Sequence, residues 1–137
     1  QERGAHCITL CGKLEAEISQ LDAEERVVFL KEMGLETPGL ERVIVAAYRL
    51  LRQQSFFTAG EDEVRAWTVT QGWKAPKAAG VIHTDFEAGF IKADIYSYKD
   101  IDAHEKESVL REKGLIRSEG KEYMMQDGDV CFFKFSS

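Results

Sequence analysis

Three side chains that can bind metals or transfer protons alternate along one short segment: His83, Asp85 and Glu87. On a strand, alternate residues share a face, so these groups could approach one metal ion or act as a general acid–base pair. Nothing else nearby completes a ligand set. In the alternative interpretation, His83 and Asp85 bond backbone groups in a crowded turn. We therefore assign no metal ligand and no catalytic residue, and keep a small hydrolase using His83 and Asp85 as an alternative function.

Two other patterns resemble ligand loops but lack essential parts. Asp127–Asp129 reads Asp-Gly-Asp, yet a calcium-binding EF-hand needs further oxygens and a glutamate at its twelfth position. A turn explains this pattern. Gly72, Gly80 and Gly89 form neither GxGxxG nor GxxxxGK[ST]. No nucleotide cofactor is therefore expected to be held by these residues alone.

Basic side chains interleave with aromatic ones in the middle of the chain, a combination that suits phosphate contact and base stacking on RNA. The expected RNA or ribosome contact residues are Arg65, Lys74, Lys77, His83 and Lys92, close in sequence to Trp67 and Trp73. A second basic group comprises Arg111, Lys113, Arg117 and Lys121. Residues 55–137 carry 11 basic and 15 acidic side chains, so attraction to RNA requires a local patch. The alternatives are a solvated surface, or a sheet edge that docks a protein partner without RNA.

The composition predicts a folded cytoplasmic protein. The 137 residues carry a formal net charge of −6, too acidic for binding nucleic acid by bulk attraction. No apolar run approaches the roughly 20 residues that a membrane span needs, and no signal peptide pattern is present. Gln1 suggests that the chain begins inside a longer protein or after processing. The three cysteines predict reduced thiols, with Cys7 and Cys131 as small core residues. The oligomeric state is left open.

The first part of the chain has mainly helical patterns. Ala5–Cys11 predicts a short buried strand, and helical spacing follows from Leu14 to Met33. Asp22 with a glutamate three residues later predicts a new helix from Ala23, with Val27, Val28, Leu30 and Met33 on its apolar side and Gly34 after its end. Thr37-Pro38 predicts an N-cap and first position of another helix, with Leu40, Val43, Ile44, Ala47 and Leu51 on one face and an end near Gln53 or Gln54.

The second part has β-type patterns, and we place the domain boundary at about residue 55, giving domains 1–54 and 55–137. Val64–Thr70 is the first predicted strand, and Phe90–Tyr98 is a half-buried strand with Ile91, Ala93 and Ile95 inward. Ala75–Gly80 predicts a helical turn and Ile101–Lys113 a helix. Glu122–Gln126 and Val130–Phe135 predict a hairpin around Asp127–Asp129. This order favours an α+β fold, a ubiquitin-like β-grasp sheet after a helical segment.

Several sequence blocks together resemble one family. The blocks FFTAGEDEVRAWTV, APKAAGVIHTDFEAGFIKADI, EGKEY and DGDVCFFKF occur in the order seen in the C-terminal TGS domain of the YchF-type Obg-like ATPases. The resemblance implies a β-grasp TGS domain, preceded by the end of a P-loop NTPase domain. It also implies an intact parent that binds and hydrolyses ATP or GTP with Mg²⁺ and associates with ribosomes.

The resemblance also suggests a role for the residues before the first helix. Cys11, Gly12 and Lys13 fall where the family has its loop near the nucleotide base, although a lysine fits less well at the third position. The family's phosphate loop, magnesium-binding switch regions and base-selecting motif have no counterpart in this sequence. The resemblance therefore implies a binding and regulatory part of an enzyme, and the preference for ATP or GTP cannot be read from it.

Overall fold

The structure is a computed structural model that describes residues 7–60 and 63–136. Contacts divide the chain into two compact units, Gln1–Leu51 and Arg52–Ser137, here called the helical unit and the sheet unit. Within the described ranges, no helix combines the length and the apolar character that crossing a membrane would require.

Three helices make up the described part of the helical unit: α1 (Gly12–Ile18), α2 (Ala23–Glu32) and α3 (Gly39–Leu50). The predicted caps of α2 are confirmed. Asp22 Oδ1 accepts a bond from Glu25 N at 2.9 Å, and the Glu25 carboxylate accepts one from Asp22 N at 3.2 Å. At the other end Gly34 has φ +67°, and Leu35 N donates to Leu30 O at 2.9 Å. The residues at each end of α2 thus provide partners for several of the backbone groups that a helix end leaves unpaired.

The start of α3 differs from the prediction. Pro38 has ψ 148°, which is extended, so it precedes the helix instead of forming its first residue. Thr37 therefore does not cap the helix. The Glu15 carboxylate, which is distant in sequence, caps α3 instead. It accepts hydrogen bonds from Gly39 N at 2.8 Å and from Leu40 N at 3.2 Å. A negative charge at a helix N-terminus is also favoured by the helix dipole.

The helical unit buries little of its apolar surface. The predicted strand over Ala5–Cys11 is wrong for residues 7–11, which form no strand; residues 5 and 6 lie outside the described ranges. Cys7 is exposed and so is not a core residue, whereas Cys131 is buried as predicted. On the apolar side of α2 only Leu30 is buried, and Ile44 on α3 is 49% exposed. Three short helices offer too little surface to cover one another's apolar faces.

In its described residues, 52–60 and 63–136, the sheet unit has five strands and four short helices. The strands are β1 (Gln53–Ala59), β2 (Val64–Thr70), β3 (Phe90–Ser97), β4 (Arg117–Glu119) and β5 (Asp129–Phe135). The helices are α4 (Ala75–Gly80), α5 (Thr84–Ala88), α6 (Tyr98–His104) and α7 (Glu107–Glu112). The strand order is β2-β1-β5-β3-β4, with β1 parallel to β5 and the other neighbours antiparallel. The predicted α+β class and β-grasp arrangement are confirmed.

Strand alternation gives the sheet two different faces. On one face Phe56, Ile95 and Phe133 pack in a buried cluster that includes the alanines of α4, namely Ala75, Ala78 and Ala79. We call this the helix-covered face. Small alanines allow α4 to lie close to the strands, and Phe56 meets Phe133 edge to face with ring centroids 5.7 Å apart.

The opposite face is covered only in part. Tyr96 and Val130 form a smaller buried cluster there with Leu110 of α7, and Ile101 of α6 packs against it. The remainder of this face, towards β2 and the far end of β5, carries exposed side chains such as Phe132. The two faces therefore present different surfaces to the surroundings.

The end of α3 and the start of the first strand were predicted incorrectly. The helix ends at Leu50, before the predicted end at Gln53 or Gln54, and β1 starts at Gln53. Consequently Val64–Thr70 is the second strand of the sheet and not the first. Arg52 has φ +53°, the left-handed conformation usually given to glycine. With arginine at this position, the sequence contains no signal for the helix end.

Two further elements differ near the end of the chain. Glu122–Gln126 is not a strand, since only an isolated bridge between Met124 and Lys74 forms there. The predicted hairpin is therefore wrong, and β5 pairs with β1 and β3 instead. The predicted helix Ile101–Lys113 is two helices, α6 and α7, because Glu105 adopts φ +61° between them.

The inward face of β3 was predicted correctly except at its start. Ala93 and Ile95 are fully buried, but Ile91 is 55% exposed. The pairing of β3 with β5 shifts between Phe90 and Lys92. A bulge of this kind changes which side chains face inward, so Phe90 occupies the core and Ile91 does not.

We expect Leu110→Ala to destabilise the sheet unit by about 2–5 kcal/mol, because Leu110 is fully buried and its removal leaves a cavity. Urea unfolding followed by tryptophan fluorescence measures this unit alone, since both tryptophans lie within it. Val64→Ala, at a side chain that is 73% exposed, is the control and should change stability by less than about 0.5 kcal/mol. Equal losses in both variants would contradict the assigned core.

Candidate nucleic-acid interface

A cleft on the sheet unit combines an indole ring with several charged side chains. Its volume is about 480 Å³. It is lined by Gly72, Trp73, Lys74, Pro76, Lys77, Glu87, Lys121 and Glu122. We call it the Trp73 cleft.

Backbone hydrogen bonds hold together the two segments that form this cleft. Ala75 N donates to Tyr123 O at 2.9 Å, and Met125 N donates to Trp73 O at 2.9 Å. The bridge between Lys74 and Met124 joins the same segments. The loop that carries Lys121 and Glu122 is thereby fixed beside the start of α4.

Charge in the Trp73 cleft is mixed, with a small excess of cations. Lys77 Nζ lies 4.1 Å from the centroid of the Trp73 ring, a cation–π contact. Lys74 Nζ lies 2.5 Å from Glu122 Oε2, and both side chains are largely exposed. With Lys121 and Glu87 the lining has three lysines and two glutamates. An aromatic ring beside several ammonium groups can stack a base and contact a phosphate.

The buried carboxylate of Asp129 holds the loop of the Trp73 cleft in place through Tyr123 and Gln126. Asp129 is 2% exposed, and its Oδ2 accepts bonds from Gln126 N at 2.8 Å and from the Tyr123 hydroxyl at 3.0 Å. Burial raises the pKa of the Asp129 carboxyl above its usual value, although those bonds and the charge of Arg117 oppose the rise. Burial and the nearby Asp129 charge raise the pKa of Tyr123 to about 12. Tyr123 therefore remains a hydrogen-bond donor at neutral pH.

The structure does not gather the predicted contact residues on one surface. Lys74 and Lys77 share the Trp73 cleft. Arg65 lies on edge strand β2 with its guanidinium carbon 4.2 Å from the Trp67 ring centroid. Lys92 lies on the opposite face of the sheet, where its Nζ donates to Ser118 Oγ at 2.9 Å.

His83 precedes α5 and caps it. Its Nδ1 accepts a bond from Asp85 N at 3.2 Å, and Asp85 Oδ2 lies 3.5 Å from the same nitrogen. The segment is helical and not a strand, so the alternation that would place His83, Asp85 and Glu87 on one face does not apply. In the part of the chain that the structure describes, no group of three or more His, Cys, Asp or Glu side chains could hold a metal ion.

Sequence reasoning placed Lys121 in a separate basic group from Lys74 and Lys77. The three meet because the loop at Lys121 pairs with residues 73–75 through a single bridge and two hydrogen bonds. The sequence carried one indirect signal, an EGKEY block that matches the family's pattern. It gave no information about which segment lies beside that block.

The predicted base loop lies at the start of the helical unit. Cys11 precedes α1, and its carbonyl accepts a bond from Glu15 N at 3.0 Å; Gly12 and Lys13 begin the helix. Glu15 in turn caps α3, so this loop is tied to a second helix. A Cβ added at Gly12 would meet no described atom within 4 Å. The role of Cys11, Gly12 and Lys13 at a nucleotide base stays a prediction.

Comparison with known proteins identifies the family. A family model named YchF-GTPase_C, with the description "Protein of unknown function (DUF933)", matches residues 53–136. The chain belongs to the YchF-GTPase_C family. This match confirms the family resemblance seen in the sequence and extends over nearly all of the sheet unit.

Relatives of this family are similar along the whole chain. The "Ribosome-binding ATPase YchF" of Haemophilus ducreyi is 53% identical over 136 residues, which are 99% of this chain and 38% of that protein. Human "Obg-like ATPase 1" is 45% identical over 134 residues, 98% of this chain and 34% of that protein. The YchF GTPase structure of Schizosaccharomyces pombe has a TM-score of 0.83 at 37% identity, over 98% of this chain and 35% of that one. The chain thus spans little more than a third of these relatives.

The raised pKa of Asp129 gives a testable pH dependence. An acid whose pKa is higher in the folded than in the unfolded state makes stability fall as pH rises through 3.8 and then through the folded-state pKa. Asp129→Asn removes this titration. The stability of the variant relative to the wild type should therefore increase across that window.

Urea unfolding at a series of pH values from about 3 to about 7 measures this difference. Asp102→Asn, the same substitution at an exposed position, controls for the general loss of one negative charge. A relative stability of Asp129→Asn that falls with rising pH would show that the charged carboxylate stabilises the fold.

Proposed function

We propose that the chain is the C-terminal binding and regulatory part of an Obg-like P-loop ATPase, and that its sheet unit, a TGS domain, helps attach the intact protein to the ribosome. Binding and hydrolysis of ATP or GTP with Mg²⁺ are assigned to the intact protein, because GxxxxGK[ST] does not occur in this sequence. The proposed place of action is the cytoplasm.

One observation carries the proposal: relatives named ribosome-binding ATPase match this chain from end to end at about half identity. At that identity the fold and the surface chemistry of the sheet unit are expected to be shared. The same relatives are more than twice as long as this chain, so their activity belongs to a larger protein.

The Trp73 cleft is the part of the sheet unit best suited to contact ribosomal RNA. Its three lysines can contact phosphates, and the Trp73 ring is partly buried, which fixes its orientation. Attraction is local, because the whole chain carries −6. Ion pairing of Lys74 with Glu122 reduces that attraction, so binding should be weak in isolation and sensitive to salt.

Single charge reversals test this surface. Lys74→Glu and Lys77→Glu, made separately, should each weaken cosedimentation of the purified chain with ribosomes, and each should lower the slope of log affinity against log salt by about 1. The loss should be largest at low salt, where charge interactions are least screened.

Lys106→Glu is the matched control, because it makes the same change in charge at an exposed residue outside the cleft. Unchanged cosedimentation of Lys74→Glu and Lys77→Glu would remove the cleft from the proposal. Capture of a single protein partner that survives RNase would instead favour a docking module without an RNA role.

The hydrolase alternative has a direct test. His83 serves as a helix cap, and the purified chain should hydrolyse no ATP above the buffer rate. His83→Ala should therefore leave that rate unchanged and affect only local stability. Turnover by the wild-type chain that His83→Ala abolishes would establish a reaction centre at this segment.

A further inference from the structure

The partly covered face of the sheet exposes an aromatic and apolar surface beside two lysines. We call it the open face, and its defining residues are Phe57, Ala59, Val64, Lys92, Phe132 and Lys134. Strand pairing places them together. Ala59 pairs with Val64 on β2, and the parallel register of Phe57 with Val130 brings Ala59 beside Phe132.

Phe132 is the most exposed ring on this face. It lies on β5, the central strand, yet its side chain is 62% exposed. Phe57 on the neighbouring strand is half-buried, and its ring centroid lies 5.8 Å from that of Tyr98, which is 51% exposed. Phe132 and Phe57 thus place two aromatic rings on one face of neighbouring strands, and sheet-type RNA-binding domains stack bases on aromatic side chains of their strands.

Cations lie next to Phe132 along the same strand. Lys134 is two residues further on β5, so the two side chains emerge about 7 Å apart on one face. Lys92 pairs with Lys134 across the strands. A ring and an ammonium group at this separation can contact the base and the phosphate of a single nucleotide.

One carboxylate moderates this charge. Asp94 Oδ2 lies 2.8 Å from Lys134 Nζ, and Asp94 Oδ1 lies 3.8 Å from Lys92 Nζ. The bond from Lys134 lowers the pKa of the Asp94 carboxyl, so it is charged at neutral pH. Lys92, Lys134 and Asp94 together carry one net positive charge, whereas the rest of the sheet unit is acidic. This local excess favours a phosphate-bearing partner over a purely apolar one.

We infer that the open face binds single-stranded RNA, with one base stacked on Phe132 and its phosphate at Lys134 and Lys92. This site is distinct from the Trp73 cleft, because the α4 side of the sheet and the open face lie on opposite surfaces. It extends the proposed function by naming a second RNA contact. Either contact can fail without the other.

Binding of a fluorescently labelled single-stranded RNA of about ten nucleotides, followed by anisotropy, tests the inference. Phe132→Leu keeps an apolar side chain but removes the ring, and should weaken binding about 5- to 150-fold. Val81→Ala, at an exposed apolar side chain just after α4 and outside the open face, should change binding by less than about 2-fold. Thermal unfolding of each variant verifies that the fold is intact.

Changes in charge should follow the same geometry. Lys134→Ala should weaken binding and lower the salt slope by about 1, whereas Asp94→Asn should strengthen binding. An RNA with abasic sugars should bind the wild type and Phe132→Leu equally weakly. If it binds the wild type as well as normal RNA does, no base stacks on Phe132 and the inference is wrong.

Repeating the titration in a Lys77→Glu background separates the two sites. Loss of binding with Lys77→Glu but not with Phe132→Leu would overturn the open-face site and leave the cleft. Loss with Phe132→Leu alone would support the open face and refute the cleft. A ribosomal protein that binds through Phe132 after RNase treatment, without measurable RNA affinity, would replace RNA by a protein as the occupant.

Discussion

The turn at Asp127–Asp129 holds the sheet unit together. Ser55 N donates to Asp127 Oδ1 at 2.8 Å, and Gly128 N donates to Ser55 O at 2.9 Å, so the turn is fixed to β1. Tyr98 N donates to Gly128 O at 2.7 Å and connects it to α6. Gly128 can serve here because its φ is +84°. The buried carboxylate of Asp129 then fixes the loop of the Trp73 cleft through Tyr123 and Gln126.

The alternation of side chains along β5 explains why the two proposed RNA contacts lie on different surfaces. Cys131 and Phe133 point into the core beneath α4, and Phe132 and Lys134 point the other way. The cleft is built from segments that follow β2 and precede β5, whereas the open face belongs to the strands themselves. A rigid sheet between them fixes the relation of the two surfaces within the unit.

Much of the sheet unit could be predicted from sequence because its signals are local. Alternation of apolar and polar residues identified β2 and most of β3. Pro76 near the start of α4 and Gly80 at its end identified that helix. The failures occur where a longer-range contact decides. Arg52 and Glu105 adopt left-handed backbone conformations, which the sequence does not indicate because neither residue is a glycine. The bulge after Phe90 places Phe90 in the core and leaves Ile91 exposed, the reverse of the predicted pattern. Glu15 caps a helix that begins 24 residues later, which no capping motif describes.

The candidate site shows the same division. Cations near tryptophans were identifiable, and the structure brings Lys74 and Lys77 together as that pattern suggested. The separation of Lys92 from them required the register of β3. The importance of Phe132 also depended on topology, because a phenylalanine in a strand between Cys131 and Phe133 gives no sign that its own face is uncovered. The sequence pattern identified the types of residue in the candidate site. The pairing of the strands determines which of these side chains lie next to one another.

The parallel pairing of β1 with β5 affects how the sheet unit folds. These strands are the first and last of the sheet, and they lie side by side at its centre. During synthesis, the pairing of β1 with β5 therefore cannot form until β5 has been made. Until then the apolar faces of the earlier strands remain uncovered. Such distant pairing slows folding and lengthens the time during which apolar strands are open to wrong partners.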